Sequence, residues 1–219
     1  MRKRQDWFQR CYICCYRWLT GLLYHQFAWA YDVVAWFVSW GQWSKWRQDA
    51  LAYVPDGDVF EVGFGTGALL IGMAKRGQFV VGLEASQQMQ WVTGWKLQRE
   101  HLSVNRVQGY TEAMPFPHSS FNGIVATFPA NYIAEETSLR EFYRVLKDEG
   151  TVVVVGINVQ FSSPFKAWVS NWLLGSEDQR MVQYLVEKAN AVGFTEEILE
   201  YHHKDSSQTV MILIRDTHE

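Results

Sequence analysis

Cysteine is scarce in this chain. Its three residues, Cys11, Cys14 and Cys15, crowd one short stretch and leave no distant partners, so no disulfide framework staples the fold. Such usage suits a reducing compartment, and a cytoplasmic location is expected. The C-x-x-C spacing is one that metals use, but no second cysteine pair completes a structural zinc site, and no metal is expected. An excess of positive charge is also missing. The net charge of −3 offers no basic surface for non-specific nucleic-acid binding. Long apolar runs are absent too: the stretch from Trp18 to Trp40 is interrupted by His25, Gln26 and Asp32, so no membrane-spanning helix is expected. The basic start (Arg2, Lys3, Arg4) leads into no uninterrupted apolar run, which argues against a signal peptide. Repeats, low-complexity tracts and any legible Ser/His/Asp or Cys/His set are lacking as well.

What is present is a core. Apolar residues make up 48% of the chain and charged residues 20%, enough for one well-buried domain and too apolar for disorder. The aromatics are unevenly placed, with seven of the eleven tryptophans in the first 46 residues. We divide the chain near Pro55, into an aromatic-rich helical segment (1–54) and an α/β region (55–219).

From Pro55 onward, apolar runs alternate with helical patterns. DVFEV (58–62) and FVVGLE (79–84) read as buried strands, with the helix ALLIGMAKRG between them ending at Gly77. A second helix starts at Ser86, a plausible N-cap, and runs towards His101, with Gly94 weakening its interior. Strands near 104–108 and 123–128 follow, then a helix over 135–147, a turn at Asp148–Gly150 and a strand over 151–156. This rhythm implies parallel crossovers and a doubly wound sheet. It breaks at the end. After a helix over 181–192, EEILEYHHK and QTVMILIRD read as neighbouring strands joined by a short turn around Asp205–Ser207, which demands an antiparallel pair. Residues 158–178 fit neither rhythm and read as an insertion.

The stretch VFEVGFGTGALL (59–70) carries the chemistry. It is a strand, a turn with Gly63, Gly65 and Gly67, and a helix, and it satisfies the dinucleotide pattern through Gly63, Gly65 and Ala68. Glu61 decides between ligands. At the carboxyl end of the strand it would face the pyrophosphate of NAD, and like charges ~4 Å apart at an effective dielectric of ~20 cost on the order of 4 kcal/mol. A ligand bearing an ammonium and a sulfonium reverses that sign, so Glu61 favours S-adenosyl-L-methionine. Glu84, ending the next strand, suits ribose hydroxyls in either ligand.

Four ordered motifs, EVGFGTG, the acid of GLEAS, QGYTEAMPFPHSSFNGIVATF and LREFYRVLKDEGTVVVV, resemble the class I S-adenosylmethionine-dependent methyltransferases. The closest likeness is to the small-molecule and lipid group that includes the ubiquinone/menaquinone C-methyltransferases, over about Tyr31 to Gly156. The resemblance implies a Rossmann-like, seven-stranded, mostly parallel sheet with one antiparallel strand. It implies that Gly63, Phe64, Gly65, Thr66 and Gly67 turn beneath the methionine moiety, that Glu61 takes its ammonium and that Glu84 holds the ribose. Ala85, Ser86 and Met89 would flank ribose and adenine, Tyr110, Thr111 and Glu112 would border the adenine, and Thr127 would lie near the transferred methyl. Tyr110 stands where such enzymes often carry an acid, and Asn122 stands for a usual, mainly structural, aspartate.

Methyl transfer needs alignment more than a dedicated catalytic group. Tyr24, His25, Tyr31 and His101 are candidates where the acceptor must lose a proton, with Tyr31 of AWAYD also resembling a segment folded over the cofactor. His118 reads as solvated, and one of His202 and His203 as exposed. FPANYI (128–133), the aromatic N-terminus and the insertion together suit a small, lipophilic or aromatic acceptor, with no nucleic acid. The N-terminal segment reads as a lid whose basic, tryptophan-rich edge suits peripheral membrane contact. A non-catalytic adenosyl-ligand binder and an NAD-dependent oxidoreductase are the rival readings.

Overall fold

The computed structural model describes residues 31–167 and 179–216. His25, Tyr24, the three cysteines and the basic start lie outside the described residues. Among the described residues no helix is long and apolar enough to cross a membrane.

Two helices, α1 (Tyr31–Val38) and α2 (Trp43–Tyr53), precede the α/β region. There follow β1 (Val59–Val62), α3 (Ala68–Lys75), β2 (Val80–Glu84), α4 (Gln87–Arg99), β3 (Asn105–Gln108) and β4 (Phe121–Thr127). A 3-10 turn at Asn131–Ala134 leads to α5 (Glu136–Val145), β5 (Leu146–Phe161), α6 (Gln179–Val192), β6 (Phe194–His202) and β7 (Ser206–Arg215). The strands form one seven-stranded sheet in the order β3-β2-β1-β4-β5-β7-β6. β1 to β5 pair in parallel, and β7 runs antiparallel to both β5 and β6. That is the mostly parallel sheet with one reversed strand expected above.

Strand alternation sorts the core into two layers. Phe60, Val62, Ile124, Val152 and Val154 pack with α5 and α6 through Leu139, Phe142 and Leu185. Val59, Val125, Val153 and Val155 face the other way, onto Ala50 of α2 and Leu69, Leu70 and Met73 of α3. β1 and β2 are buried at every position, as befits strands covered on both faces.

Two local expectations change. The expected turn at Asp148–Gly150 is a looped-out irregularity inside β5: pairing with β4 jumps from Phe121↔Leu146 to Gly123↔Thr151, with Glu149 at φ 60°. Residues 158–161, expected to open an insertion, instead continue β5 beyond a second irregularity and pair with β7 from Val159↔Gln208 to Phe161↔Ser206. Gly156, at φ 81°, makes that break, and a kinked strand does not keep the simple alternation by which strands are read. Ser86 caps α4 as expected, its Oγ accepting the Met89 N–H at 3.3 Å.

Asn122 has the structural role expected. Its Oδ1 accepts from the Asp58 N–H (3.0 Å) and the Lys147 ammonium (2.9 Å), joining β4 to the start of β1 and to β5.

Candidate functional site

The strand order reverses at β1, whose neighbours β2 and β4 lead away in opposite directions. At such a point an open α/β sheet leaves a crevice outside the carboxyl ends of its strands, and the glycine turn sits there. Gly63, Gly65 and Gly67 have φ of 65°, 51° and 74°, the left-handed region that glycine enters without strain. Space matters as well. A β-carbon on Gly63 would lie 2.6 Å from the Tyr132 hydroxyl, and one on Gly67 would lie 2.3 Å from Cγ2 of Thr93. At Gly65 nothing lies within 4 Å, so that side of the turn is open to a ligand.

A cleft beside the turn, open to solvent, is lined by Glu61, Gly63, Gly65, Thr66, Thr127, Phe128, Trp43 and Arg47 among others. Period-two alternation explains its floor. Glu61 shares the face of Val59, opposite Phe60 and Val62, and its register partner Val125 shares a face with Thr127. Both polar side chains therefore emerge under α2 and α3. Glu61 is 1% exposed, and its Oε2 is buried without a hydrogen-bond partner. Burial pushes its carboxyl well above the usual glutamate range. The Arg47 charge and the Leu70 backbone N–H pull it down, while the Glu84 charge adds to the rise. A buried acid with an unpaired oxygen facing a cleft is a receptor for a cationic N–H donor.

Glu84 is buried and held from two sides. Its Oε2 accepts the Gly65 N–H at 2.9 Å and its Oε1 the Ser86 N–H at 2.8 Å. Each carboxylate oxygen has a second lone-pair direction, so the group can still accept two neighbouring hydroxyls. Thr66 Oγ1 donates to Asp32 Oδ1 at 2.7 Å, and the Lys96 ammonium pairs with Asp32 while donating to the Thr66 carbonyl at 3.1 Å. α1 is thereby tied directly to the glycine turn. Tyr31 opens α1 next to Asp32; its side chain lies outside what the structure describes.

The remaining expected residues divide. Phe64 lines the cleft and packs its ring onto β2 over Gly82. Ala85 follows Glu84, half-buried, and Met89 is fully buried beneath the Ser86 cap. Tyr110 is 69% exposed at the end of β3, Glu112 is exposed, and the buried Thr111 hydroxyl shares a 2.7 Å hydrogen bond with Ser138 of α5. His101 does not belong to the site. It follows α4, which starts beside the site at Ser86 and runs away from it for 13 residues, about 20 Å. His118 is exposed; His202 is 72% and His203 18% exposed. Among the described residues no three His, Cys, Asp or Glu side chains converge as a metal site.

Sequence reasoning passed over Arg47, and it took Trp43 and Phe128 only as members of the aromatic N-terminus and of FPANYI, without singling either out. Trp43 and Arg47 stand four apart on α2, hence on one helix face. Trp43 stacks on Phe128, with centroids 4.1 Å apart and planes inclined by 24°. Phe128 sits at φ 50°, and a β-carbon on Gly156 would lie 2.4 Å from its ring, so glycine there is what admits it. A bulky residue in the left-handed region is a strained one. The edge of the cleft beyond Thr127 is therefore a fixed aromatic wall.

Comparison with known proteins agrees with this geometry. Residues 59–150 match the family model described as "Methyltransferase domain". The chain is 30% identical over 148 residues to the demethylmenaquinone methyltransferase of Renibacterium salmoninarum, covering 66% of this chain and 61% of that protein. It is 29% identical over 143 residues to the ubiquinone/menaquinone biosynthesis C-methyltransferase of Geotalea daltonii, covering 61% of this chain and 59% of the relative. The chain thus spans about three fifths of the length of these curated relatives. Among solved structures, Haemonchus contortus phosphoethanolamine N-methyltransferase 2 in complex with S-adenosylhomocysteine superposes with a TM-score of 0.60 at 16% identity, over 81% of this chain and 53% of that one. The [4+2]-cyclase SpnF superposes with a TM-score of 0.58 at 14% identity, over 81% of each chain. At such identities the likeness is one of fold, and the cyclase shows that the fold alone does not dictate the reaction.

Proposed function

We propose that this chain, whose residues 59–150 form a class I methyltransferase domain resembling the quinone C-methyltransferases, binds S-adenosyl-L-methionine and transfers its methyl group to a small, lipophilic or aromatic acceptor. One observation carries the cofactor: the buried, unpartnered Oε2 of Glu61 at the floor of the cleft. It suits the cofactor's ammonium and opposes a dinucleotide pyrophosphate. Arg47, across the same floor, suits the carboxylate of the same amino-acid moiety. Glu84, held by the Gly65 and Ser86 N–H groups, takes the ribose hydroxyls. The exposed ring of Tyr110 offers the adenine a stacking face in place of a carboxylate.

When bound, the cofactor supplies a methyl on a sulfonium, ready for in-line displacement. The chain's part is alignment and exclusion of water. Thr127 and the Trp43–Phe128 wall border the acceptor side with apolar, planar surface, which favours a flat ring over a charged or peptide acceptor. The relatives' names point the same way, to quinone rings.

Calorimetry tests the cofactor half. S-adenosylhomocysteine should bind and NAD should not; NAD binding the tighter of the two would overturn the reading. Transfer of labelled methyl from S-adenosylmethionine to short-chain 1,4-naphthoquinols or to a lipid extract tests the second half. Cofactor binding without transfer to either would turn the conclusion towards a non-catalytic binder.

A further inference from the structure

α2 faces three ways. Trp43 and Arg47 line the cleft, Trp46 and Ala50 are buried against the sheet, and Asp49 points towards the β6–β7 hairpin. A helix turns by about 100° per residue, so Arg47 and Asp49, two apart, emerge on opposite sides. The hairpin meets α2 with a compact polar cluster. His203 Nε2 lies 2.7 Å from Asp49 Oδ2 and, facing a carboxylate, donates to it. Gln208 Nε2 donates to the same oxygen at 2.5 Å. One turn of the helix away, the indole N–H of Trp46 donates to Ser206 Oγ at 3.3 Å. Trp46, Ser206 and Gln208 are almost wholly buried. His203 is itself fixed, since its backbone N–H closes the hairpin turn on the Ser206 carbonyl at 2.7 Å. The cluster lies outside the region that matches the methyltransferase model, 150 or more residues in sequence from the helix it grips.

We propose that His203 and Gln208 are positioning residues: by gripping Asp49 they fix the rotation and axial register of α2, and so hold Arg47 and Trp43 on the cofactor cleft. This rests on the functional reading above. The physical basis is that a single helix carries both the grip and the cleft residues. Three directional hydrogen bonds on one flank favour a single seating on the sheet, whereas the apolar contacts of Trp46 and Ala50 alone are less directional. Neither His203 nor Gln208 lines the cleft, so their influence passes through α2, including its Trp46 ring, which packs on Trp43 and Phe128.

The test is a double-mutant cycle read by calorimetric binding of S-adenosylhomocysteine to the full chain. His203→Ala and Arg47→Ala should each weaken binding about tenfold, the loss expected when one charge-assisted hydrogen bond goes or is misplaced. Combined, they should lose scarcely more than Arg47→Ala alone, because His203 acts through Arg47. His203→Gln keeps an N–H donor towards Asp49 and should restore affinity to within about threefold. It also serves should His203→Ala fold poorly by circular dichroism. Additive losses, unchanged affinity in His203→Ala, or no recovery in His203→Gln would each overturn the inference while leaving the cofactor reading intact. A wild-type chain that ignores S-adenosylhomocysteine would overturn both.

Discussion

Replacing Glu61 by Gln should move stability and cofactor binding in opposite directions. In the free protein the Glu61 carboxyl is wholly buried, and burial is the largest reason for its raised proton affinity. A group whose folded pKa is raised contributes stability that is fully present below its unfolded value and is lost as pH rises through the folded value. The free wild-type protein should therefore lose stability as pH climbs from the usual glutamate range upward. Glu61→Gln, isosteric and uncharged, should remove that component of the slope and melt higher than wild type at neutral pH. Binding runs the other way. The cofactor's ammonium requires the ionised acid, and a hydrogen bond between charged partners contributes about 1.5–3 kcal/mol, so the variant should bind S-adenosylhomocysteine about 10- to 150-fold more weakly. Wild-type affinity should rise with pH as the free protein gives up the Glu61 proton before binding rather than during it. Isothermal titration at several pH values, beside thermal melts of the free proteins, measures both halves. 5′-Methylthioadenosine, which lacks the amino-acid portion, is the internal control and should bind both proteins equally. An equal loss for both ligands would refute the assignment of Glu61 to the ammonium. A variant less stable than wild type at neutral pH would refute the claim that the buried acid strains the free fold.

Three further perturbations follow from the same geometry. Glu84→Ala removes the acceptor for the Gly65 and Ser86 N–H groups as well as for the ribose; cofactor affinity should fall at least about tenfold and the melting temperature should drop too, whereas unchanged affinity would free Glu84 from the ribose role. Asp32→Ala cuts α1 from Thr66 and Lys96; amide exchange across 31–38 should accelerate by hydrogen-exchange mass spectrometry, with the β1 amides unaffected. Gly156→Ala places a methyl 2.4 Å from the Phe128 ring at a backbone φ of 81°; a loss of about 1–3 kcal/mol in chemical denaturation is expected, with acceptor turnover falling more than cofactor affinity.

The central strands of the sheet were legible because they are buried on both faces and read as runs of Val, Phe and Ile between glycine-punctuated helices. Glu61 and Glu84 stood out for the same reason, each a charge in an apolar strand with no local account. Legibility failed where the chain departs from strict periods. The irregularity at Gly156 hid the continuation of β5, and Asn158–Phe161 therefore read as foreign to the sheet. Trp43 and Arg47 were missed because α2 is amphipathic in no simple way: Trp46 is buried, Trp43 lines a cleft, and composition does not distinguish the two tryptophans. The grip of His203 on Asp49 joins residues 154 apart in sequence. No local pattern announces such a pair, and His203 was read only as a residue of a late strand.

Several unusual features of the molecule meet at the cleft. A buried acid with one unpaired oxygen, a phenylalanine at φ 50° and three alternate left-handed glycines all sit at the carboxyl ends of β1 and β4. Elsewhere β1 is apolar and buried, and so is β4 from Gly123 to Ala126. A fold selected for stability alone would put valine at position 61, beside Val59, Val125 and Val153, and would gain a continuous core face. An ionisable group at that position is what links stability to the proposed chemistry of the cleft. The same reasoning explains why the grip on α2 comes from the far hairpin. α2 meets the cleft with Trp43 and Arg47 and the hairpin with Asp49, so the proposed grip acts on the flank away from the cleft. Rigidity on that flank leaves the ligand side preorganised, and preorganisation is what an alignment-driven methyl transfer asks of its protein.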